Sequence, residues 1–199
     1  YPRDRTAVDT DQTPSRIYAK LRAWPDFRVR FGDRVQRHLF HGGALDTTSS
    51  VARLLARAAS LQPALPGESA RWGDAREAAT PGCPATGQTF TRDEWWAPEI
   101  QGLATNWFPR QNEITLARLR AASLYPALGA PDFSPYGGAV TSGFALAMSH
   151  ANGAGVIYYT TDGADPRAYG SGAVAPSALA YAAPVPLNEP AVVRARVYS

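Results

Sequence analysis

Apolar residues recur at helical spacing over the first 125 residues and at every second position after residue 131. Ile17, Leu21 and Trp24 make one apolar stripe, with Thr13 as a cap, Pro14 at the first helical position and Pro25 as the stop. Asp26 then caps a run in which Phe27, Phe31, Val35 and Leu39 recur every four residues, and His41-Gly42-Gly43 ends it because glycine takes a left-handed C-terminal position without steric cost. Val51, Leu54, Leu55 and Ala58 follow the Thr47-Thr48-Ser49-Ser50 cluster, and Pro63 stops that stripe. A short helical piece covers Glu68 to Trp72, and the Gly-, Pro- and Thr-rich residues 73–90 read as a surface loop. Thr91-Arg92-Asp93-Glu94 is a capping box that opens a helix with Trp95, Trp96, Ile100, Leu103 and Trp107, and Pro98 falls near its first turn. Pro109 starts a last helix with Ile114, Ala117 and Ala121 on one face. The pattern predicts helices over 14–24, 26–41, 49–61, 92–107 and 110–123, packed on Phe31, Val35, Leu54, Leu55, Ile100, Leu103 and Ile114.

After Gly129-Ala130-Pro131 the period changes to two. Phe144, Leu146 and Met148 alternate with small residues, and Val156 to Thr161 is β-branched and aromatic up to the Asp162-Gly163 turn. Val193, Ala195 and Val197 alternate with Val192, Arg194 and Arg196. Short strands between Pro/Gly turns predict a β-sandwich. The chain therefore reads as an α+β protein in two segregated parts, a helical subdomain over 1–130 and a sandwich over 131–199.

Composition narrows the class without deciding it. The 199 residues are 45% hydrophobic and 19% charged with a net charge of +3, which excludes a disordered chain. No apolar run of about 18 residues is present, so no membrane span is expected. Lys20 is the only lysine among the 20 basic residues, a bias that signals a GC-rich genome more than a nucleic-acid ligand. Residues 1–130 carry 17 basic and 13 acidic side chains against 3 and 4 in the remainder. Arg16, Lys20, Arg22, Arg28, Arg30, Arg34 and Arg37, opposed by Asp26 and Asp33, are the most concentrated basic stretch; it reads as solvated helix faces, with Arg28, Arg30, Arg34 and Arg37 as a candidate basic patch.

The candidate chemistry is sparse. Cys83 stands alone in Pro81-Gly82-Cys83-Pro84, so neither an intrachain disulfide nor a thiolate metal site is possible. His38 and His41 share a helix face but lack a third ligand at metal-site spacing. There is no nucleophile elbow and no phosphate-binding Gly-rich loop followed by Lys-Ser/Thr. Asp162 and Asp165 share one turn but lack the further oxygen ligands and the distal Glu of a calcium loop, and read as caps of their own turn. Glu68 and Asp74, flanking Arg71-Trp72, read as a salt bridge or cap. Trp95, Tyr158 and Tyr159 are candidate carbohydrate-stacking residues, although neighbours in each aromatic pair point apart and one of them belongs to a core.

Two stretches resemble known families. Asp26-Phe27-Arg28-Val29-Arg30-Phe31-Gly32-Asp33-Arg34-Val35, His38-Leu39-Phe40, Gly42-Gly43-Ala44-Leu45, Glu68-Ser69-Ala70-Arg71-Trp72-Gly73-Asp74, the Thr91–Trp95 helix start and Leu124-Tyr125-Pro126 resemble the helical C-terminal part of CotH kinase-like proteins, over about 14–130. Gly155-Val156-Ile157-Tyr158-Tyr159-Thr160-Thr161-Asp162-Gly163-Ala164-Asp165-Pro166-Arg167, then Tyr181, Pro184 and Val192 to Tyr198, resemble the chitobiase/β-hexosaminidase C-terminal-type domain over about 131–199. The second resemblance implies an immunoglobulin-like sandwich appended to a secreted enzyme, in which a further strand follows Ser199. The first implies a kinase-like parent whose nucleotide lobe and metal-holding acids lie upstream, so no catalytic, cofactor-binding or metal residue is assigned to this chain.

The resulting expectation is a non-catalytic structural or interaction fragment of a larger bacterial protein, secreted or at the cell surface. Its partners are the rest of the parent chain and a cell-surface polysaccharide or protein, with no nucleic acid. ATP and a divalent metal belong to the parent alone. Two alternatives stand beside it: a wall of an extracellular protein or glycan kinase, and a carbohydrate-binding accessory module.

Overall fold

The computed structural model describes residues 4–73 and 89–199. Asp74, Cys83 and most of the expected 73–90 loop lie outside the described residues. Two compact units emerge: residues up to Gln36 together with Leu119–Ser199, and Arg37–Arg118. The helices are α1 (Pro14–Leu21), α2 (Pro25–Leu39), α3 (Thr47–Leu61), α4 (Leu65–Trp72), α5 (Ala97–Gly102) and α6 (Phe108–Ala121). The strands are β1 (Asp132–Ser134), β2 (Phe144–Ser149), β3 (Val156–Thr160), β4 (Leu179–Ala180), β5 (Val185–Leu187) and β6 (Arg194–Tyr198).

In the first unit α1 begins at Pro14 as predicted, but the Thr13 hydroxyl turns back to donate to the Thr10 carbonyl and caps nothing. Its apolar stripe is on the exposed side: Ile17 is 65% and Trp24 57% exposed. Tyr18 carries the packing instead, with its hydroxyl donating to Thr6 O at 2.8 Å and its ring 6.4 Å from both Phe27 and Phe31. α2 starts at Pro25, which places Asp26 inside the first turn and not at the cap. α2 runs close to Leu124-Tyr125-Pro126 at Gly32, where a Cβ would lie 3.4 Å from Pro126 Cδ. Val35 is buried on the same helix.

The period-two residues form two three-stranded antiparallel sheets, ordered β1-β2-β5 and β4-β3-β6. Leu146 and Met148 point inward from β2 while Ala145 and Ala147 face out, as the alternation requires. Met148, Ile157 and Val185 are the buried centre of a cluster that adds Phe133 and Leu187 from one sheet and Tyr159, Ala195 and Val197 from the other. β5 pairs with β2 only as far as Leu146, so the Met148 N–H needs another acceptor on that side. The Tyr181 hydroxyl supplies it at 3.0 Å. Asp162 accepts from its own turn at Ala164 N, and Gly163 (φ +80°) provides the positive φ that the turn needs.

In the second unit Asp46 caps α3, accepting from the N–H groups of Thr48 and Ser49, so the helix opens two residues earlier than predicted. The left-handed stop after α2 falls on His41 (φ 52°) and Gly42 (φ 74°). Gly43 is needed for a different reason, since a Cβ there would sit 2.4 Å from Arg37 O. The Thr91 hydroxyl accepts from Glu94 N at 3.2 Å, half of the expected box, and donates to the Glu94 carboxylate at 3.3 Å.

The largest departure lies between residues 92 and 121. Pro109 does not begin a separate helix; one continuous helical run contains both Pro98 and Pro109. A π-helical turn precedes each proline, Arg92–Trp96 and Leu103–Trp107. In both, the residue before the proline donates five residues back: Ala97 to Arg92 O and Phe108 to Leu103 O. The wider turn accommodates a ring that would otherwise collide with the carbonyl four residues back. It also shifts the helical phase. Ile114, expected in a core, is 38% exposed, and Leu119 is the residue that α6 buries. Leu55 is likewise exposed, because Val51, Leu54 and Ala58 already fill the inward face of α3.

Candidate functional site

Asp26 and Asp33 are seven residues apart on α2, two helical turns, and therefore lie on one face. Asp26 is buried, at 8% exposure. Its carboxylate accepts from Arg167 Nη1 at 2.7 Å and from Gly170 N at 3.2 Å. Arg167 is aimed by its own loop: its N–H donates to Asp165 Oδ1, and the chain doubles back through the Arg167–Val174 bridge. On β6, Arg196 grips two carboxylates at once. Nε and Nη2 donate to Asp165 at 2.6 and 2.8 Å, and Nη1 and Nη2 donate to Asp33 at 2.9 and 2.7 Å. Burial works against the charge of Arg196, but the two carboxylates override it and hold its pKa above the ordinary value. Burial also opposes ionised Asp165, yet Arg196 and the Arg167 N–H keep that carboxyl below the usual range. Both groups stay charged at neutral pH, so the cluster works as a polar latch; Asp165 is not a proton donor there.

The predicted basic patch divides. Arg28 Nε donates to Arg22 O at 2.5 Å, which fixes the side chain toward α1. The Arg30 guanidinium stands 5.5 Å from the ring centroid of Tyr169, while Arg34 and Arg37 are exposed on α2. The aromatic candidates separate as well. Tyr159 joins the core cluster, and its ring meets Tyr181 edge-on at 6.4 Å. Tyr158 lies on the other face of β3, edge-on to Tyr198 at 5.5 Å. Trp95 belongs to the second unit and packs edge-on against Phe90 at 5.3 Å. Tyr169 was not singled out from sequence, although it is 65% exposed. The available signal was an aromatic residue isolated in the turn-rich Ala168-Tyr169-Gly170-Ser171-Gly172 segment.

The Asp165-Pro166-Arg167 elbow and the final strand are the parts of the latch with known relatives. Residues 135–199 match the chitobiase/beta-hexosaminidase C-terminal domain. Phe133, just ahead of the matched range, already packs into the core of this chitobiase-type domain, whereas Asp26 and Asp33 come from outside it. The match gives no support to a CotH-like reading of residues 14–130. No curated protein and no solved structure matches the chain. Among the described residues no group of three or more His, Cys, Asp or Glu is placed to hold a metal, and no helix is long and apolar enough to cross a membrane.

Proposed function

We propose that the chitobiase-type domain is a non-catalytic docking module, an immunoglobulin-like sandwich that clamps the helix preceding it within a larger secreted or cell-surface bacterial protein. The observation that carries this reading is Arg196, one guanidinium forked onto both Asp165 of the domain and Asp33 of α2. Forked arginine–carboxylate pairs set orientation as well as attraction, which is what a spacer between functional parts requires. The CotH-like motifs support placing this pair in a kinase-like parent, whose nucleotide, divalent metal and catalytic residues would lie upstream. Hydrogen exchange on the whole chain tests the clamp. In Arg196→Met and Arg167→Met variants the α2 amides from Arg28 to Val35 should exchange faster, while α3 amides keep their rates. Unchanged protection of α2 in both variants refutes the clamp.

A second reading, carbohydrate binding, is favoured by Tyr169, an exposed ring with a cation beside it. Calorimetry with neutral and carboxylated polysaccharides decides it. Heat that is lost in Tyr169→Ala supports the reading, and no heat with any polymer removes it.

A further inference from the structure

A shallow depression of about 430 Å3 in the first unit is lined by Ala19, Arg22, Ala23, Arg28 and Ala122. Both arginines are half-buried, and among the described residues neither is paired with a carboxylate. Half-buried charge without a counter-charge is costly unless an anion or water satisfies it. Each guanidinium is also held in place. Arg22 Nη1 donates to Thr6 O at 2.9 Å, and Arg28 Nε donates to Arg22 O. These bonds use a part of each donor set and immobilise the rest beside the depression, so the ordering cost of binding is already met. The three alanine methyls keep the walls low and offer no competing acceptor.

We propose that Arg22 and Arg28 form a binding site for a phosphate group. The two guanidiniums come from different elements, the C-terminal cap of α1 and the first turns of α2, and do not form a single planar fork. A tetrahedral oxyanion offers oxygens in diverging directions and can be shared by two such donors, whereas a planar carboxylate pairs best with one guanidinium edge. The depression is open, so the phosphate can belong to a small ester or to a lipid headgroup at a surface.

The test follows the arginine Nε–Hε resonances of the whole chain by NMR, at constant ionic strength set with chloride. Inorganic phosphate and glycerol 3-phosphate should shift the Arg22 and Arg28 signals saturably. Arg28→Gln should weaken binding by about tenfold or more, and Arg28→Lys, which keeps the charge but loses the fork, should weaken it too. Arg34→Gln, exposed on the same helix, should leave it unchanged. Sedimentation with phosphatidylglycerol vesicles against phosphatidylcholine vesicles separates the sources: retention lost in Arg28→Gln assigns a headgroup, and shifts with the soluble esters alone assign a small ester. Linear, non-saturating shifts with every phosphate probe overturn the site. So does equal binding by Arg28→Gln with its tertiary circular dichroism intact. Should Arg28→Gln disturb folding, Arg22→Gln carries the same comparison.

Discussion

Removing the Arg167 side chain, by Arg167→Met, should destabilise the first unit far more than neutralising its partner. Asp26 is 8% exposed and has two donors, the Arg167 guanidinium and the Gly170 N–H. Arg167→Met leaves a buried carboxylate with one neutral donor, and breaking a buried pair in this way costs about 3 kcal/mol or somewhat more. Asp26→Asn keeps one acceptor oxygen where Oδ1 and Oδ2 had taken Arg167 and Gly170 N separately, so one donor keeps its bond and the other loses it without leaving a buried carboxylate, and its cost should be about 1–2 kcal/mol. The double variant has no orphaned charge and should lose only about 2–3 kcal/mol, which leaves a coupling of about 2 kcal/mol between the sites. Exchange at the Ile157 and Thr160 amides reads this unit directly, since both residues are buried on β3. At about 2–4 °C per kcal/mol for a chain of this length, Arg167→Met should also lower the melting temperature of the unit by about 6–12 °C. Additive costs within about 0.5 kcal/mol would show that Asp26 and Arg167 are adjacent without being coupled, and the latch argument would fail.

Acid should act through Asp165. Its pKa is depressed in the folded chain, so the stabilisation is fully present above the unfolded value of about 3.9 and drains away as the pH falls through the lower folded value. Urea midpoints between about pH 2 and 6 should therefore drop on the acid side, and Arg196→Met should flatten that drop; parallel curves for the two proteins contradict the assignment. Tyr181→Phe strips the Met148 N–H of its acceptor and should cost about 1–3 kcal/mol, with faster exchange of that amide. Unchanged exchange would mean that water replaces the hydroxyl.

Local rules reached the elements whose causes are local. The stops at Gly42 and Gly163 and the alternation of Leu146 and Met148 follow from residue type and spacing, and the chain obeys them. Trp96-Ala97-Pro98 and Trp107-Phe108-Pro109 repeat eleven residues apart, but local rules treat proline as a break, and only the widened backbone ladder makes the run continuous. The α1 stripe shows a different limit. Periodicity states which residues share a face; it does not state that a neighbour exists to cover it, and Tyr18 found partners where Ile17 and Trp24 did not. The latch was the least legible feature. Asp26 pairs with a residue 141 positions away and Asp33 with one 163 positions away, and from sequence Asp26 read as a helix cap and both as charges opposing a basic stretch.

The spacing of those two carboxylates has a use outside this chain. Asp26 and Asp33, seven residues apart on a helix, stand about 10.5 Å apart along its axis, and the arginines that receive them sit on one elbow and one strand of the C-terminal β domain. The arrangement defines a transferable grammar: Asp, six residues, Asp on a helix upstream, answered by Asp-Pro-Arg after the turn and by Arg in the last strand. A domain of this type grafted behind a helix without that spacing would hang as a loose pendant. One grafted behind a helix that has it would inherit a defined orientation, so the fourfold pattern can be searched for in genomes and written into chimeras.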